Sequence, residues 1–139
     1  LDDLRHAAIA ALVRELNALY RAEPALHRLD CEAAGFEWLI ADDADQSVFA
    51  WLRRDGAGRH AVVVVNFTPV PRRDYAVPLP DDAPAHWREA LNTDSRHYGG
   101  SDLGNAGAVI AAHDRPARGR NRSLHLTVPP LAAVFLVAA

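Results

Sequence analysis

Residues 1–20, LDDLRHAAIAALVRELNALY, repeat an apolar side chain every three or four positions. Leu1, Leu4, Ala8, Leu12, Leu16 and Leu19 form a stripe that Ile9, Val13 and Tyr20 widen, while Asp2, Asp3, Arg5, Arg14 and Asn17 lie off it. That spacing predicts an amphipathic helix, because residues three and four apart share one face of a 3.6-residue turn. Pro24 predicts its end: proline has no N–H to donate and disfavours helical geometry in the residue before it.

After Gly35 the period falls to two. FEWLIA (36–41) sets Phe36, Trp38 and Ile40 on one face of an expected strand. DDADQ (42–46) reads as a turn, SVFAWLRR (47–54) as a second strand, and DGAG (55–58) as the close of a hairpin. HAVVVVNF (60–67) is apolar at almost every step, which predicts a central strand covered on both faces. Pro69 and Pro71 cannot donate to a ladder, so they end that strand and stiffen its exit. Arg72, Arg73, Asp74 and Tyr75 are then expected as a polar surface segment. Shorter candidates follow at 74–79, 86–91, 107–112, 122–128 and 132–138, separated by prolines and glycines. About eight short strands with turn signals between them predict a mainly β protein. The expected fold is an antiparallel β-sandwich preceded by one N-terminal α-helix. The sharpest change of pattern, at about residues 24–35, marks a domain boundary, with residues 1–29 set apart from the sandwich at 30–139.

Composition narrows the function. The chain has 139 residues, about one ordinary domain, and its net charge of −3 includes no basic block, so nucleic acid is not an expected partner. The one cysteine, Cys31, cannot form an internal disulfide. No apolar run has membrane-spanning length and the N-terminus lacks a secretion pattern, so a cytoplasmic location with no membrane partner is expected. The chain contains no methionine, and it is therefore read as a piece of a longer polypeptide.

Catalytic and metal readings fare poorly. Asp43, Asp45 and Ser47 alternate as at the start of a calcium loop, but Val48 and Arg54 stand where its glycine and glutamate belong. The seven histidines are scattered without ligand spacing. Ser123 and His125 share a strand face, yet no nucleophile elbow surrounds the serine. YGGSDLGN (98–105) is glycine-rich but lacks a phosphate-binding lysine. Pairs such as Asp81–Asp82 lie beside prolines in loops and define no glycosidase geometry. No catalytic residue, metal or cofactor is expected. Trp38, Trp51 and Trp87 all fall on expected strands, where an indole either packs in the core or offers its face to the C–H face of a sugar ring. Trp38, beside the domain boundary, is the candidate stacking residue.

Six segments then carry a resemblance: LNALYRAEPALHRLD (16–30), GFEWL (35–39), SVFAWLRR (47–54), VVNFTPVPRRDY (64–75), EALNTDSRHYGGSDLGN (89–105) and SLHLTVPPLAAVFLV (123–137). In order and spacing they resemble the C-terminal end of bacterial glycogen branching enzymes of the α-amylase superfamily. The resemblance implies a parent with a central (β/α)8 barrel and a C-terminal β-sandwich. Such a parent cuts an α-1,4-glucan and transfers the segment to a 6-hydroxyl, forming an α-1,6 branch. Residues 1–29 would be the last barrel helix and linker, and 30–139 the C-terminal sandwich. None of the barrel's catalytic motifs is present, so no catalytic residue is carried over and the fragment is expected to be inactive alone. Trp38, in GFEW, matches a position linked to glucan contact. The implied partners are α-glucan chains and the missing barrel. Without the barrel, the leucine stripe is expected to cover the sandwich, meet a second copy or fray. Two alternatives stay open. One is a purely structural domain with Trp38 in its core. The other is a non-catalytic carbohydrate-binding or interaction module, free-standing or from another enzyme of the superfamily. The missing methionine and the barrel-like leading helix speak against a free-standing module.

Overall fold

Asp3 caps the first helix: its carboxylate accepts the backbone N–H of Arg5 at 2.8 Å, satisfying a donor that the helix itself cannot. The computed structural model describes residues 3–139, so Leu1 and Asp2 of the predicted helix lie outside the described residues. Helix α1 spans Leu4–Ala22 and stops at Glu23, one residue before Pro24. No residue of α1 is fully buried.

Eight strands follow, β1 Phe36–Asp43, β2 Val48–Arg54, β3 His60–Asn66, β4 Arg72–Leu79, β5 His86–Asn92, β6 Val109–Ala111, β7 Arg122–Val128 and β8 Ala132–Ala138. They form a six-stranded sheet in the order β1-β2-β3-β8-β5-β6 and a two-stranded sheet of β4 and β7. Every pairing is antiparallel. The small sheet packs on one face of the large one. Tyr75, Val77 and Leu79 from β4 and Leu124, Leu126 and Val128 from β7 meet Ile40, Leu52, Val62, Val64, Val134 and Leu136 in one core. Each such aliphatic side chain contributes about 1.5–3 kcal/mol by leaving water.

The expected central strand is β3, between β2 and β8. Both its faces are covered, by different layers. Val62 and Val64 face the small sheet. Ala61 points the other way, into a second cluster with Ala25 and Val137, against which Leu19 of α1 and Leu26 pack. The valine run therefore records a helix on one side and a sheet on the other.

Three expectations need correction. Phe36, Trp38 and Ile40 do not share a face. In β1, Trp38 pairs with Trp51 but Ile40 pairs with Ala50, so Leu39 is an extra residue and the strand bulges there. The bulge reverses the alternation, leaving Trp38 half exposed while Leu39 and Ile40 enter the core. The segment after Pro71 is not wholly surface: β4 begins at Arg72, and Tyr75 is buried. A second bulge, between Arg72 and Tyr75, turns its ring inward, with Asp74 at φ 47° absorbing the change of direction. The strand expected at 107–112 is only Val109–Ala111.

Candidate functional site

β2 alternates strictly. Val48, Ala50 and Leu52 are buried, and Phe49 and Trp51 point to the outer face of the large sheet. Across the ladder from Trp51 stands Trp38. The rings gather into one cluster: Phe36 lies 5.1 Å from Trp38 and 6.4 Å from Trp51, and Trp38 lies 6.0 Å from Trp51 and 6.3 Å from Phe49. Phe67, just past the end of β3, extends it at 5.7 Å from Phe49. Trp38 is 50% exposed and Phe67 64%. Trp87 is the opposite case: it is fully buried, and its Nε1 donates to the Pro84 carbonyl at 2.9 Å. Of the three tryptophans, Trp87 is core, Trp51 is half-buried on the outer face, and Trp38 offers a face to solvent.

The cluster continues into a groove between α1 and the sheet. Its volume is about 510 Å3, and Leu16, Leu19 and Tyr20 wall it on one side, Phe36, Trp51, Val63 and Phe135 on the other. Its rim is polar. Asp30 accepts from the Tyr20 hydroxyl at 2.7 Å and pairs with Arg53 at 2.8 Å. That hydrogen bond, then burial, holds the Tyr20 hydroxyl above its usual pKa. On the opposite side of the sheet, in step with buried Leu52, Glu37 pairs with Arg54 at 3.0 Å and Arg120 at 3.1 Å. Apolar ring faces beside paired polar groups suit a ligand with one apolar and one hydroxylated side, such as a pyranose. The carboxylates here are tied up by arginines and provide no free acid or nucleophile.

The other candidate chemistry has structural explanations. Ser123 Oγ and His125 Nε2 are 3.0 Å apart, and His125 Nδ1 is 3.2 Å from Asp74 Oδ1. This is the order of a nucleophile–base–acid chain, but Ser123 is fully buried and its hydroxyl donates to the Arg115 carbonyl at 2.8 Å, so no substrate carbonyl reaches it. Asp43 accepts from Tyr75 at 2.6 Å and from Gln46 at 3.1 Å, and pairs with Arg118 at 3.2 Å. The glycine-rich stretch folds around the protein's own carboxylates. Asp94 accepts from the Ser101 N–H at 3.0 Å and the Leu103 N–H at 3.2 Å. Glu89 accepts from the Asn105 N–H at 2.9 Å and the Gly107 N–H at 3.2 Å. Among the described residues no helix is long and apolar enough to cross a membrane.

The sequence singled out Trp38 and set Phe36 beside it, but did not gather Trp51, Phe49 and Phe67 with them. Phe49 was findable, since it shares a β2 face with Trp51. Phe67 was not, because the expected strand 60–67 is apolar at almost every step and gives no alternation to place it, and the observed strand ends one residue earlier.

The fold is thus an antiparallel sandwich with an aromatic outer face. Residues 38–139 match the alpha amylase, C-terminal all-beta domain, and the chain belongs to that family. More particularly, it is 56% identical over its whole length to the 1,4-alpha-glucan branching enzyme GlgB of Burkholderia cenocepacia, of which it covers 18%. It is 55% identical over its whole length to the enzyme of that name from Burkholderia vietnamiensis, covering 19% of it. It is 54% identical over 99% of its length to the one from Nitrobacter hamburgensis, covering 18%. The chain thus spans under a fifth of the length of these relatives.

Proposed function

We propose that this chain is the C-terminal accessory region of a 1,4-α-glucan branching enzyme and that its aromatic outer face holds glucan. The parent would cleave an α-1,4-glucan and pass the segment to a 6-hydroxyl, with the chemistry in a barrel domain preceding this chain. In this reading α1 and the linker to residue 29 close that barrel, residues 30–139 are the sandwich, and the polypeptide works in the cytoplasm. The observation that carries the reading is identity above half over the whole chain, helix included, to proteins named as branching enzymes. The exposed ring of Trp38 supports the glucan role, since a solvated indole inside an aromatic cluster is a ready platform for a sugar face.

A titration of this chain with maltoheptaose tests the glucan role. One or two stacked rings at about 1 kcal/mol each predict a millimolar Kd. Trp38→Ala should weaken binding about fivefold, the equivalent of that 1 kcal/mol. No binding by the native chain at tens of millimolar sugar, or an unchanged Kd in the variant, contradicts it. One observation favours a second reading, in which the rest of the polypeptide covers this face: the cluster runs without a break into the apolar groove beneath α1. Under that reading Trp38→Ala leaves sugar affinity unchanged.

A further inference from the structure

The turn after β1, the start of β4 and the loop at 117–118 enclose a second cleft of about 510 Å3. It is lined differently from the aromatic groove. Arg72, Arg73 and Arg118 contribute to its wall, with Gln46 and Tyr75, and Asp74 is its one carboxylate.

The three arginines are not equivalent. Arg118 is already neutralised, pairing with Asp42 at 3.1 Å and Asp43 at 3.2 Å. Among the described residues neither Arg72 nor Arg73 lies within 4.0 Å of a carboxylate oxygen. Arg72 reaches only two neutral acceptors, both at long range: the Gln46 carbonyl at 3.3 Å and Thr68 Oγ1 at 3.4 Å. Its Nε is buried and has no hydrogen-bond partner among the described residues. A buried charged donor without an acceptor is costly and rare in folded proteins. Asp74 is turned toward His125, whose Nδ1 lies 3.2 Å from its Oδ1.

The backbone holds this arrangement. Pro71 fixes the entry to β4, and the bulge between Arg72 and Tyr75 interrupts the alternation there. Arg72 and Arg73, adjacent in sequence, consequently both line the cleft. Two guanidinium groups without counter-charges line the wall of the cleft and offer planar donors to a tetrahedral oxyanion. Arginine matches phosphate oxygens in pairs, as a point-charge amine does not. The cleft has the volume of a small-molecule site.

We propose that this cleft binds a phosphomonoester, with Arg72 and Arg73 as its ligands and the phosphate carried free or on a sugar. This site does not depend on the branching-enzyme reading, and it lies apart from the Trp38 cluster.

Calorimetric titration of this chain with inorganic phosphate and with glucose 6-phosphate, at one ionic strength, tests it. Saturable one-to-one binding of at least one probe is expected below about 10 mM. Tighter binding of glucose 6-phosphate would assign the phosphate to a sugar, and equal binding would assign it to the free anion. Arg73→Gln, at an exposed position, should weaken binding about tenfold or more. Arg72→Lys keeps the charge but loses the fork, so it should weaken binding several-fold at unchanged thermal stability. Trp38→Ala should leave phosphate affinity unchanged, which separates this test from the glucan test. Absence of saturable binding of both probes, or binding that survives Arg73→Gln, overturns the proposal.

Discussion

At the scale of the residue, the recurring device is a phenol held by a carboxylate. All three tyrosines donate to one: Tyr20 to Asp30, Tyr75 to Asp43 and Tyr98 to Glu15. Burial first, then the bond to Asp43, raises the Tyr75 hydroxyl well above its reference value of 10.0. Burial, then the bond to Glu15, pushes Tyr98 up to about 12. A hydroxyl whose folded pKa exceeds its unfolded one stabilises the fold fully below the unfolded value and loses that contribution as pH rises through the folded value. Stability should therefore be insensitive to these groups below pH 10 and fall between about 10 and 12 as Tyr98 ionises. A tyrosinate absorbance titration should show two of the three tyrosines ionising only well above 10, with helix–loop docking through Glu15 and Tyr98 lost in step. A full three-tyrosine transition centred at 10 would contradict this. None of these partnerships was readable in the sequence. Tyr98 and Glu15 are 83 residues apart, and only the fold brings them together. Trp38 was readable as a site candidate because it falls beside the domain boundary in the GFEW segment, although a bulge that no alternation rule anticipates parts it from Ile40.

At the scale of the element, the helix carries the clearest consequence. Leu4, Ile9, Val13 and Tyr20 are all exposed, Leu4 by 88%, while Leu12, Leu16 and Leu19 are half-buried and Leu19 packs against the cluster beneath it. The expectation that the stripe would cover the sandwich is met in part: the middle and C-terminal turns of α1 lie against it, while Leu4 and Ile9 stay in solvent. Fully burying side chains of this size is worth about 1.5–3 kcal/mol each, so the uncovered part should seek a partner when the chain is studied alone. Light scattering should show association that grows with concentration, and Ile9→Lys combined with Val13→Lys should return the chain to a monomer. A native chain that stays strictly monomeric at high concentration would contradict this. The strands were the most readable elements, because prolines and glycines mark their ends and a period of two marks their bodies. Seven of the eight expected strands overlap the observed ones closely, and the eighth contracts to Val109–Ala111. What alternation missed were the bulges in β1, β4 and β5, each of which adds a residue that the pattern counts as one step.

At the scale of the molecule, two surfaces on one sandwich divide the chemistry. The outer face of the large sheet is aromatic, and the cleft beside β4 is cationic. The fold class followed from strand count and turn chemistry. The pairing of strands distant in sequence, such as β3 with β8, did not, because no local pattern encodes which edges meet. The central claim is that the aromatic face takes a glucan chain, and the three indole N–H signals of an 15N-labelled sample address it most directly. Adding maltoheptaose should shift the Trp38 signal saturably, move that of half-buried Trp51 less, and leave that of Trp87 in place, since its indole is buried and bonded to Pro84. If all three signals stay fixed at saturating sugar, or Trp87 moves while Trp38 does not, the account is wrong.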